Sequence, residues 1–393
     1  MREPTALTRW RSFVRRLNTP GVVALIVAVA YAAYLAARPG NLASDPARFV
    51  FAGDEFCDPA RVPSNLPVGI DSAGHDGQFY YRLALDPFSA EPTAFGIRLD
   101  NPPYRQQRIL YPLLVWTLSL GRAESVPAAM ILVNLAALIG IGWVAGALSK
   151  ACGKHALIGL MLPLYPGFVL SLARDTVEIV ATFFLLSGVL ALQRKKSIVA
   201  ALVLTLAVLA RETSVGLIAA LAFTFVRPRG SNRDRAGLRW YVIALPSLVF
   251  LCWQAFLHQR WGRAGVFSGA GNLGPPLAGL TGFLRALLPA PGGIGELWLG
   301  EVFFLSVLTV LVVVAFRSSS AAREIKVGWL LYAGLASLLS GWIWIEDWAF
   351  LRALTEFYVL SVLLLLGARF RGRVFLTAYL TALWYVVLRT KLH

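Results

Sequence analysis

The chain has 393 residues, of which 57% are hydrophobic and only 15% are charged, and its formal net charge is +16. A soluble globular domain is about half apolar and about a quarter charged. This composition therefore excludes an ordinary soluble protein and predicts an all-α polytopic membrane protein. No disulfide framework is expected, since the only cysteines lie in three separate segments, at Cys57, Cys152 and Cys252.

The first hydrophobic run covers residues 20–37 and follows a basic N-terminus. A basic start, an apolar core and the small residues Ala36-Ala37 are also features of a cleavable signal peptide. The apolar length is closer to that of a spanning helix. We therefore predict a retained first transmembrane helix with its N-terminus in the cytoplasm. The basic residues before it are Arg2, Arg9, Arg11, Arg15 and Arg16.

Further apolar runs, separated by charged breaks, predict about eleven transmembrane helices in a single membrane domain over residues 1–393. A spanning helix needs about 20 residues, so the shorter run within 105–121 is predicted to lie on the outer membrane surface. Residues 38–125 then form a large extracytoplasmic loop with interfacial helices, and 126–388 form a helix bundle. The predicted spans are 20–37, 126–149, 155–172, 176–192, 197–210, 214–226, 240–258, 297–316, 327–345, 353–368 and 374–388.

The positive charge is concentrated on one side of this arrangement. More than half of the 37 Lys and Arg residues fall in the predicted cytoplasmic segments, with only three acids, Glu3, Asp234 and Glu324. Cytoplasmic loops are enriched in Lys and Arg, so the net charge indicates topology in the cell membrane and not nucleic-acid binding. Within 197–226, a hairpin of short helices with an outward turn at Arg211-Glu212-Thr213 preserves this bias, whereas one long helix would reverse it for the later loops.

Asp76 is the leading catalytic candidate, because it lies in the predicted outer loop beside the aromatic residues Phe79, Tyr80 and Tyr81. A carboxylate there can act as general base towards a sugar hydroxyl. The stretch Gln78–Leu85 has the amphipathic pattern of an interfacial helix, and the alternative interpretation of Asp76 is that it caps this helix. Asp54, in the same loop, is the second candidate.

Other ionisable residues fall in outward breaks between the apolar runs. At membrane depth such groups are costly and are functional candidates. Arg174 and Arg352 suit an anionic lipid head group, whereas their i,i+4 spacing to Glu178 and Glu356 also fits structural ion pairs. Further outward candidates are Asp175, Arg211, Glu212 and Asp347.

Arg105 and Arg108 precede the short surface run and share a helical face. They fit either a phosphate site or an anchor at the lipid head groups. The spacing of Asp71, His75 and Asp76 fits no strong metal-binding pattern, so no cofactor is expected, although a divalent metal is not excluded. The Gly- and Pro-rich segment 259–296 is predicted to be an outer loop that covers the site. The sequence has no Gly-rich nucleotide loop and no nucleophile elbow.

The predicted layout is similar to that of the GT-C superfamily of polyprenyl-phosphate-dependent glycosyltransferases. It has one transmembrane helix, then a large outer loop with a prominent acid, then a surface helix and many further spans. Two motifs resemble the acid-aromatic and "FPLYPLL" motifs of the mannosyltransferases of GPI-anchor assembly and their bacterial relatives. A third stretch sits where those proteins carry a short acidic motif at the outer end of a helix, and a fourth matches another outward turn in many bacterial members. These four stretches are Asp76-Gly77-Gln78-Phe79-Tyr80-Tyr81-Arg82-Leu83-Ala84, Arg108-Ile109-Leu110-Tyr111-Pro112-Leu113-Leu114, Arg174-Asp175-Thr176-Val177-Glu178 and Arg211-Glu212-Thr213.

The motifs cover a small part of the chain and depart from the family in two places. His75 stands where the GPI enzymes carry a tryptophan, and Arg108-Ile109 stand where they carry phenylalanines. The donor and acceptor of those enzymes therefore do not carry over to this chain.

The resemblance implies an inverting hexosyl- or pentosyltransferase with a polyprenyl-phosphate sugar donor and a glycan or glycolipid acceptor on the extracytoplasmic side. Asp76 would be the base. Arginines would hold the phosphate, namely Arg105, Arg108, Arg174, Arg211 and Arg352. Supporting residues would be His75, Gln78, Tyr80, Tyr81, Asp175, Glu178, Glu212 and Asp347. Two alternatives remain open, a transporter or flippase of lipid-linked sugars and a non-catalytic scaffold of envelope assembly.

Overall fold

The computed structural model describes residues 16–38, 45–227, 239–288, 294–369 and 372–390. It is 71% helical, and its described strands form two sheets of two short strands each. These features agree with the predicted all-α class. The predicted cytoplasmic arginines from Arg2 to Arg15 and the basic segment 228–238 lie outside the described residues.

The elements follow one another along the whole chain. They are α1 Pro20–Ala37, β1 Ala52–Gly53, β2 Val68–Gly69, α2 Gly77–Leu85, β3 Thr93–Ala94, β4 Ile97–Arg98, α3 Pro102–Gln106, α4 Leu110–Ser119, α5 Val126–Ala151, α6 Pro166–Ala173, α7 Glu178–Gln193, α8 Ser197–Ala210, α9 Val215–Val226, α10 Tyr241–Trp261, α11 Gly265–Ser268, α12 Ala278–Leu287, α13 Ile294–Ala315, α14 Arg323–Ser337, α15 Gly341–Trp344, α16 Asp347–Ala353, α17 Thr355–Gly367 and α18 Arg373–Thr390.

Among the described residues, four helices are long and apolar enough to cross a membrane. They are α1, α5, α10 and the part of α13 from Gly295 to Ala315, and the pair α16 and α17, bent by 52°, would make a fifth. These helices indicate a membrane-embedded protein. Each of the eleven predicted spans coincides with helix, but most of these helices are too short to span alone. The count of eleven therefore stays a prediction.

Prolines explain why the predicted span 155–172 is not one helix. The chain forms a 3₁₀ helix over Ala156–Met161 and then α6, which begins at Pro166. Proline lacks an amide proton and disfavours helical dihedrals in the residue before it. Tyr165, before Pro166, is accordingly extended, with φ −61° and ψ 124°.

The predicted span 327–345 is also interrupted. Helix α14 ends at Ser337, and the backbone that follows bonds to the 262–277 segment instead of continuing the helix. The amide of Gly274 donates to Leu338 O (2.7 Å), and the amide of Ser340 donates to Asn272 O (2.9 Å). The same segment contacts α3, because Asn272 Nδ2 lies 3.3 Å from the Tyr104 hydroxyl. Part of the predicted outer loop thus joins α3 to α14 and α15.

Helices α1 and α5 approach each other closely through glycine. On α5, Gly142 and Gly146 are four residues apart and face α1. A Cβ at Gly146 would lie 2.9 Å from Pro20 Cα, and one at Gly142 would lie 3.0 Å from a Val27 methyl group. This is the small-xxx-small arrangement that brings membrane helices into backbone contact.

Helix α2 corrects one prediction. The sequence predicted an interfacial helix with a polar face that includes Gln78 and Arg82, but every residue of α2 is buried in the protein. Gln78 accepts a hydrogen bond from the Gly53 amide (3.1 Å), and Arg82 donates to Glu91 O. The amphipathic pattern reflects buried hydrogen bonding, and these polar side chains do not lie at a water-exposed surface.

We expect Gly146→Ala to weaken the α1–α5 contact, because the added methyl group meets backbone atoms. Overpacking of this kind costs about 1–3 kcal/mol. Gly334→Ala in α14 is the matched control, since a Cβ there meets no atom within 4 Å and alanine favours helix by about 0.5–1 kcal/mol. Size-exclusion profiles of the heated, detergent-purified protein should show a lower melting temperature for Gly146→Ala alone. A Gly146→Ala melting temperature equal to that of the wild type would contradict the close packing of α1 and α5.

Candidate functional site

Asp76 lies at the end of a tight turn, immediately before helix α2. The His75 amide donates to Phe51 O (2.9 Å), which fixes the turn against the chain before β1. Gly74 has φ +63°, and a Cβ there would lie 2.6 Å from the Gly53 nitrogen. Glycine alone adopts this conformation without steric cost. The glycine two residues before Asp76 is therefore required by the backbone.

Gly77, directly after Asp76, lies against two other segments. A Cβ at this position would lie 2.6 Å from Arg174 O and 2.7 Å from Val50 O. Gly77 thus lets the start of α2 touch the break between α6 and α7. The two glycines of the Gly-His-Asp-Gly sequence place Asp76 where three parts of the chain meet.

The Asp76 carboxylate bridges two arginines from distant elements. Its Oδ1 lies 3.0 Å from Arg105 Nη1 of α3, and its Oδ2 lies 2.7 Å from Arg352 Nη2 of α16. The Asp76 side chain is 26% exposed, whereas those of Arg105 and Arg352 are 9% and 14% exposed. Asp76 makes no side-chain cap bond to α2, so the capping interpretation is wrong.

These two arginines determine the protonation of Asp76. Desolvation alone would raise the pKa of the carboxyl group. The charges of Arg105 and Arg352 outweigh it and hold the pKa well below its ordinary range. Asp76 is therefore ionised at neutral pH, but it is a weak base while both guanidinium groups remain in place.

Each of the two arginines also binds a second carboxylate. Arg105 Nη2 lies 2.7 Å from Asp100 Oδ2, and Arg352 Nε lies 3.1 Å from Glu178 Oε1. Glu178 is 1% exposed, so its charge depends on these protein partners. Each arginine can therefore keep one carboxylate if it releases Asp76.

The pairing continues through Arg211, between α8 and α9. Its Nη1 lies 2.8 Å from Glu356 Oε2, and its Nη2 lies 4.0 Å from Glu178 Oε1. The predicted i,i+4 pairs of Arg174 with Glu178 and of Arg352 with Glu356 are therefore wrong, because both acids bind other arginines. We call the connected set the charge chain: Asp100, Arg105, Asp76, Arg352, Glu178, Arg211 and Glu356.

Arg108 and Glu212 form a separate buried pair beside the charge chain. Two hydrogen bonds of 2.6 and 2.8 Å join them, as in a bidentate pair. Arg108 also donates to the hydroxyl groups of Tyr80 (3.0 Å) and Tyr104 (2.7 Å). Arg108 and Arg211 are 5% and 6% exposed, and each already binds a carboxylate.

Arg174 differs from these arginines. Within the described part of the chain, no carboxylate oxygen lies within 4.0 Å of its guanidinium nitrogens, and Nη1 has no hydrogen-bond partner. The group instead stacks on Trp348, with its Cζ 3.5 Å from the ring centroid, and lies 4.8 Å from that of Phe51. Arg174 therefore lies against two rings with a buried Nη1 whose hydrogen-bonding capacity is unused.

Asp54, the second catalytic candidate, holds a turn together. Its carboxylate accepts hydrogen bonds from the backbone amides of Asp71 (3.0 Å) and Ser72 (2.9 Å). These bonds lower the pKa of Asp54. Asp54 therefore supports the turn that leads to Asp76.

The remaining predicted residues lie around Asp76 in different roles. Gln78 fixes the same turn through Ala73 O (2.8 Å), and the Tyr81 hydroxyl lies 3.4 Å from Asn65 Oδ1. Asp175 is fully buried with φ +49°, and Asp347 is fully buried at the start of α16. The described residues contain no cluster of three His, Cys, Asp or Glu side chains that would hold a metal ion.

Four residues that the structure brings to the site were not among the predicted site residues, Phe51, Asp100, Tyr104 and Trp348. Asp100 lies five residues before Arg105, and Trp348 follows the outward acids Glu346-Asp347. Their positions next to predicted site residues could have marked these two as site candidates. Nothing in the sequence indicated Phe51, because the residues that contact it are distant in sequence.

Comparisons of the chain with protein-family models, curated proteins and solved structures give no match.

We expect the acid sensitivity of folding to depend on Asp76. Its pKa is lower in the folded protein than in an unfolded chain, where it is about 3.9, so the stabilisation is present above that value and is lost as the pH falls below it. Between about pH 5 and pH 3, the melting temperature should therefore fall more steeply for wild type than for Asp76→Asn.

Asp58→Asn is the control, because Asp58 is a 46%-exposed carboxylate of the same segment. Its melting curve against pH should parallel that of the wild type. Parallel curves for wild type and Asp76→Asn would show that the charge chain does not hold Asp76 ionised.

Proposed function

We propose that the protein is a membrane glycosyltransferase that moves a sugar from a polyprenyl-phosphate donor to an envelope glycan or glycolipid. The observation that carries this proposal is the Asp76 carboxylate, whose side chain is 26% exposed although it lies between two largely buried arginines, Arg105 and Arg352. An exposed carboxylate among arginines suits a reaction in which a hydroxyl group loses a proton beside a phosphate.

The donor phosphate is assigned to Arg174 and Arg352. Arg174 has a buried Nη1 without a hydrogen-bond partner, which a phosphate would satisfy once the side chain turns towards it, and Arg352 is the more exposed of the two arginines on Asp76. Guanidinium groups bind phosphate oxygens through paired hydrogen bonds. Binding here would also neutralise the charge that develops on the leaving phosphate.

The lipid part of the donor has a suitable surface close by. A cavity of about 760 Å³ lies between α12, α15 and the start of α13, and its lining is almost entirely apolar. In this lining, Trp344 stacks on Phe350 and Phe283 contacts Phe350 edge-on. Phe350 belongs to α16, the helix that carries Arg352. A polyprenyl chain in this cavity would end near the helix that binds its phosphate.

In the proposed reaction, the acceptor hydroxyl oxygen attacks the anomeric carbon, and a new glycosidic bond forms. The bond between the anomeric carbon and the phosphate oxygen breaks, and the polyprenyl phosphate leaves with the electron pair. The hydroxyl proton passes to Asp76. Attack opposite the leaving group inverts the anomeric configuration.

Phosphate binding would also activate the base. When Arg352 turns towards the phosphate it can keep Glu178 as its partner, and Asp76 loses one of its two cations. The pKa of Asp76 then rises towards the ordinary value. The base would thus gain strength once the donor is in place.

We further propose the eleven-span topology, with the N-terminus in the cytoplasm and Asp76 on the extracytoplasmic side.

The first test compares envelope glycans and glycolipids by mass spectrometry in cells that lack the gene and in complemented cells. We expect wild type, Asp58→Asn and Asp54→Asn to restore one missing sugar increment, and Asp76→Asn to restore none. Immunoblots of membranes should show equal amounts of each variant. Full restoration by Asp76→Asn would contradict its role as the base, and failure of Asp54→Asn alone would transfer that role to Asp54.

The second test measures phosphate binding directly. Farnesyl phosphate serves as a short lipid-phosphate probe and is titrated against purified protein by calorimetry. We expect Arg174→Gln to weaken its binding by at least about tenfold, as befits the loss of a charged hydrogen bond of about 1.5–3 kcal/mol.

Arg194→Gln provides the control, because Arg194 also lies over a tryptophan ring, with its Cζ 5.6 Å from the Trp143 centroid, but not at this site. Equal affinities for wild type and Arg174→Gln would restrict Arg174 to stacking.

A further inference from the structure

Phe51 has an unusual combination of conformation and exposure. It has φ +53°, a region that bulky side chains rarely occupy, and it is 45% exposed although it is large and apolar. Phe95, elsewhere in the same segment, has the same φ and the same exposure. Conformation and exposure alone therefore do not mark a site, and what distinguishes Phe51 is its surroundings.

Three planar groups surround Phe51. The His75 ring lies 4.6 Å from the Phe51 ring and stacks on Trp348 at 5.8 Å and 22°. Arg174 closes the set between Trp348 and Phe51. Phe95 has no ring or cation contact of this kind among the described residues. We call Phe51, His75, Trp348 and Arg174 the aromatic cluster.

The aromatic cluster adjoins the reacting carboxylate. His75 is the residue before Asp76, and Trp348 lies four residues before Arg352 on α16. Residues four apart share one helix face, so α16 presents Trp348 to the cluster and Arg352 to Asp76. A ligand on Phe51 and His75 would therefore lie at the turn that carries Asp76 and against the helix that carries Arg352.

A pyranose ring fits these groups chemically. It has an apolar face of C–H groups, which packs on an aromatic ring, and an edge of hydroxyl groups, which need hydrogen-bond partners. Phe51 offers an exposed ring, while the His75 imidazole offers a polar group beside it. A lipid chain would suit Phe51 but not the adjacent imidazole and guanidinium groups.

We propose that Phe51 and His75 form a platform that binds the acceptor sugar of the proposed reaction as a pyranose, and that Trp348 and Arg174 hold this platform in place. The inference rests on the proposed function. The acceptor, and not the donor, is assigned here because the base must reach the acceptor hydroxyl. Each Asp76 oxygen contacts one arginine, Oδ1 in an ion pair with Arg105 and Oδ2 in a hydrogen bond from Arg352, so lone pairs remain free for that hydroxyl.

Sugar binding can be measured without any turnover. Saturation-transfer NMR is recorded on the purified full-length protein in nanodiscs with the methyl pyranosides of glucose, galactose, mannose and N-acetylglucosamine as probes. We expect at least one probe to receive saturation at its ring C–H protons from wild type, Phe51→Tyr and Phe95→Ala. Phe51→Ala should reduce that signal at least about fivefold.

Phe95→Ala is a matched control, because it removes the same side chain at the same φ and exposure away from the cluster. Equal melting temperatures of the two alanine variants would exclude loss of folding as the cause. The platform is overturned if none of the four pyranosides binds wild type, or if Phe51→Ala binds as wild type does. Either result leaves the glycan test of the proposed function unaffected.

Transfer kinetics separate acceptor from donor. In assays with each substrate varied in turn, Phe51→Ala should raise the acceptor KM at least about tenfold and leave the donor KM within about twofold. A rise in the donor KM alone would place the donor sugar on Phe51 and overturn the assignment to the acceptor.

Discussion

Buried charge is the constraint on which the site depends. A carboxylate or guanidinium removed from water costs several kcal/mol unless a partner compensates it. Glu178, Arg211 and Glu356 are almost inaccessible to solvent, so none is tolerable without the others. Their partners lie on different elements, and each ion pair therefore fixes one helix relative to another. The loop around α2 and α3 is tied to the helical bundle where Asp76 meets Arg352 and where Arg108 meets Glu212.

This arrangement explains why the sequence predicted the fold class better than the site. Hydrophobic runs depend on local composition, and α1 covers the same residues as the first run. Its start is fixed locally, because Thr19 caps the helix and Pro20 is its first residue. The break at Arg211 was also visible in the charges. The predicted span 155–172 contains Pro163 and Pro166 and is not one continuous helix. A hydropathy pattern does not register a missing amide proton.

The partners of the site residues could not be found from spacing. The i,i+4 rule predicted Arg352 with Glu356, but Glu356 binds Arg211, which is 145 residues away. Such a pair depends on how the helices assemble, and a single sequence carries no measure of that. The type and position of a residue helped to predict the site, although its partner could not be predicted. Acids and arginines at the ends of apolar runs did converge on Asp76, although Asp54 proved to hold a turn.

Glycine links the turn to the chemistry. Gly74 and Gly77 admit the close backbone approach that puts Asp76 beside the α6–α7 break, and this approach places Arg174 and His75 on one side of the carboxylate. Arg105 and Arg352 occupy its two oxygens. The same ion pairs that make Asp76 a weak base also fix where it points. Since Arg105 keeps Asp100 and Arg352 keeps Glu178, either arginine can turn away without leaving an isolated buried charge. A carboxylate held by cations that each have a second partner can therefore be strongly ordered in the empty site and still gain basicity when an anion arrives.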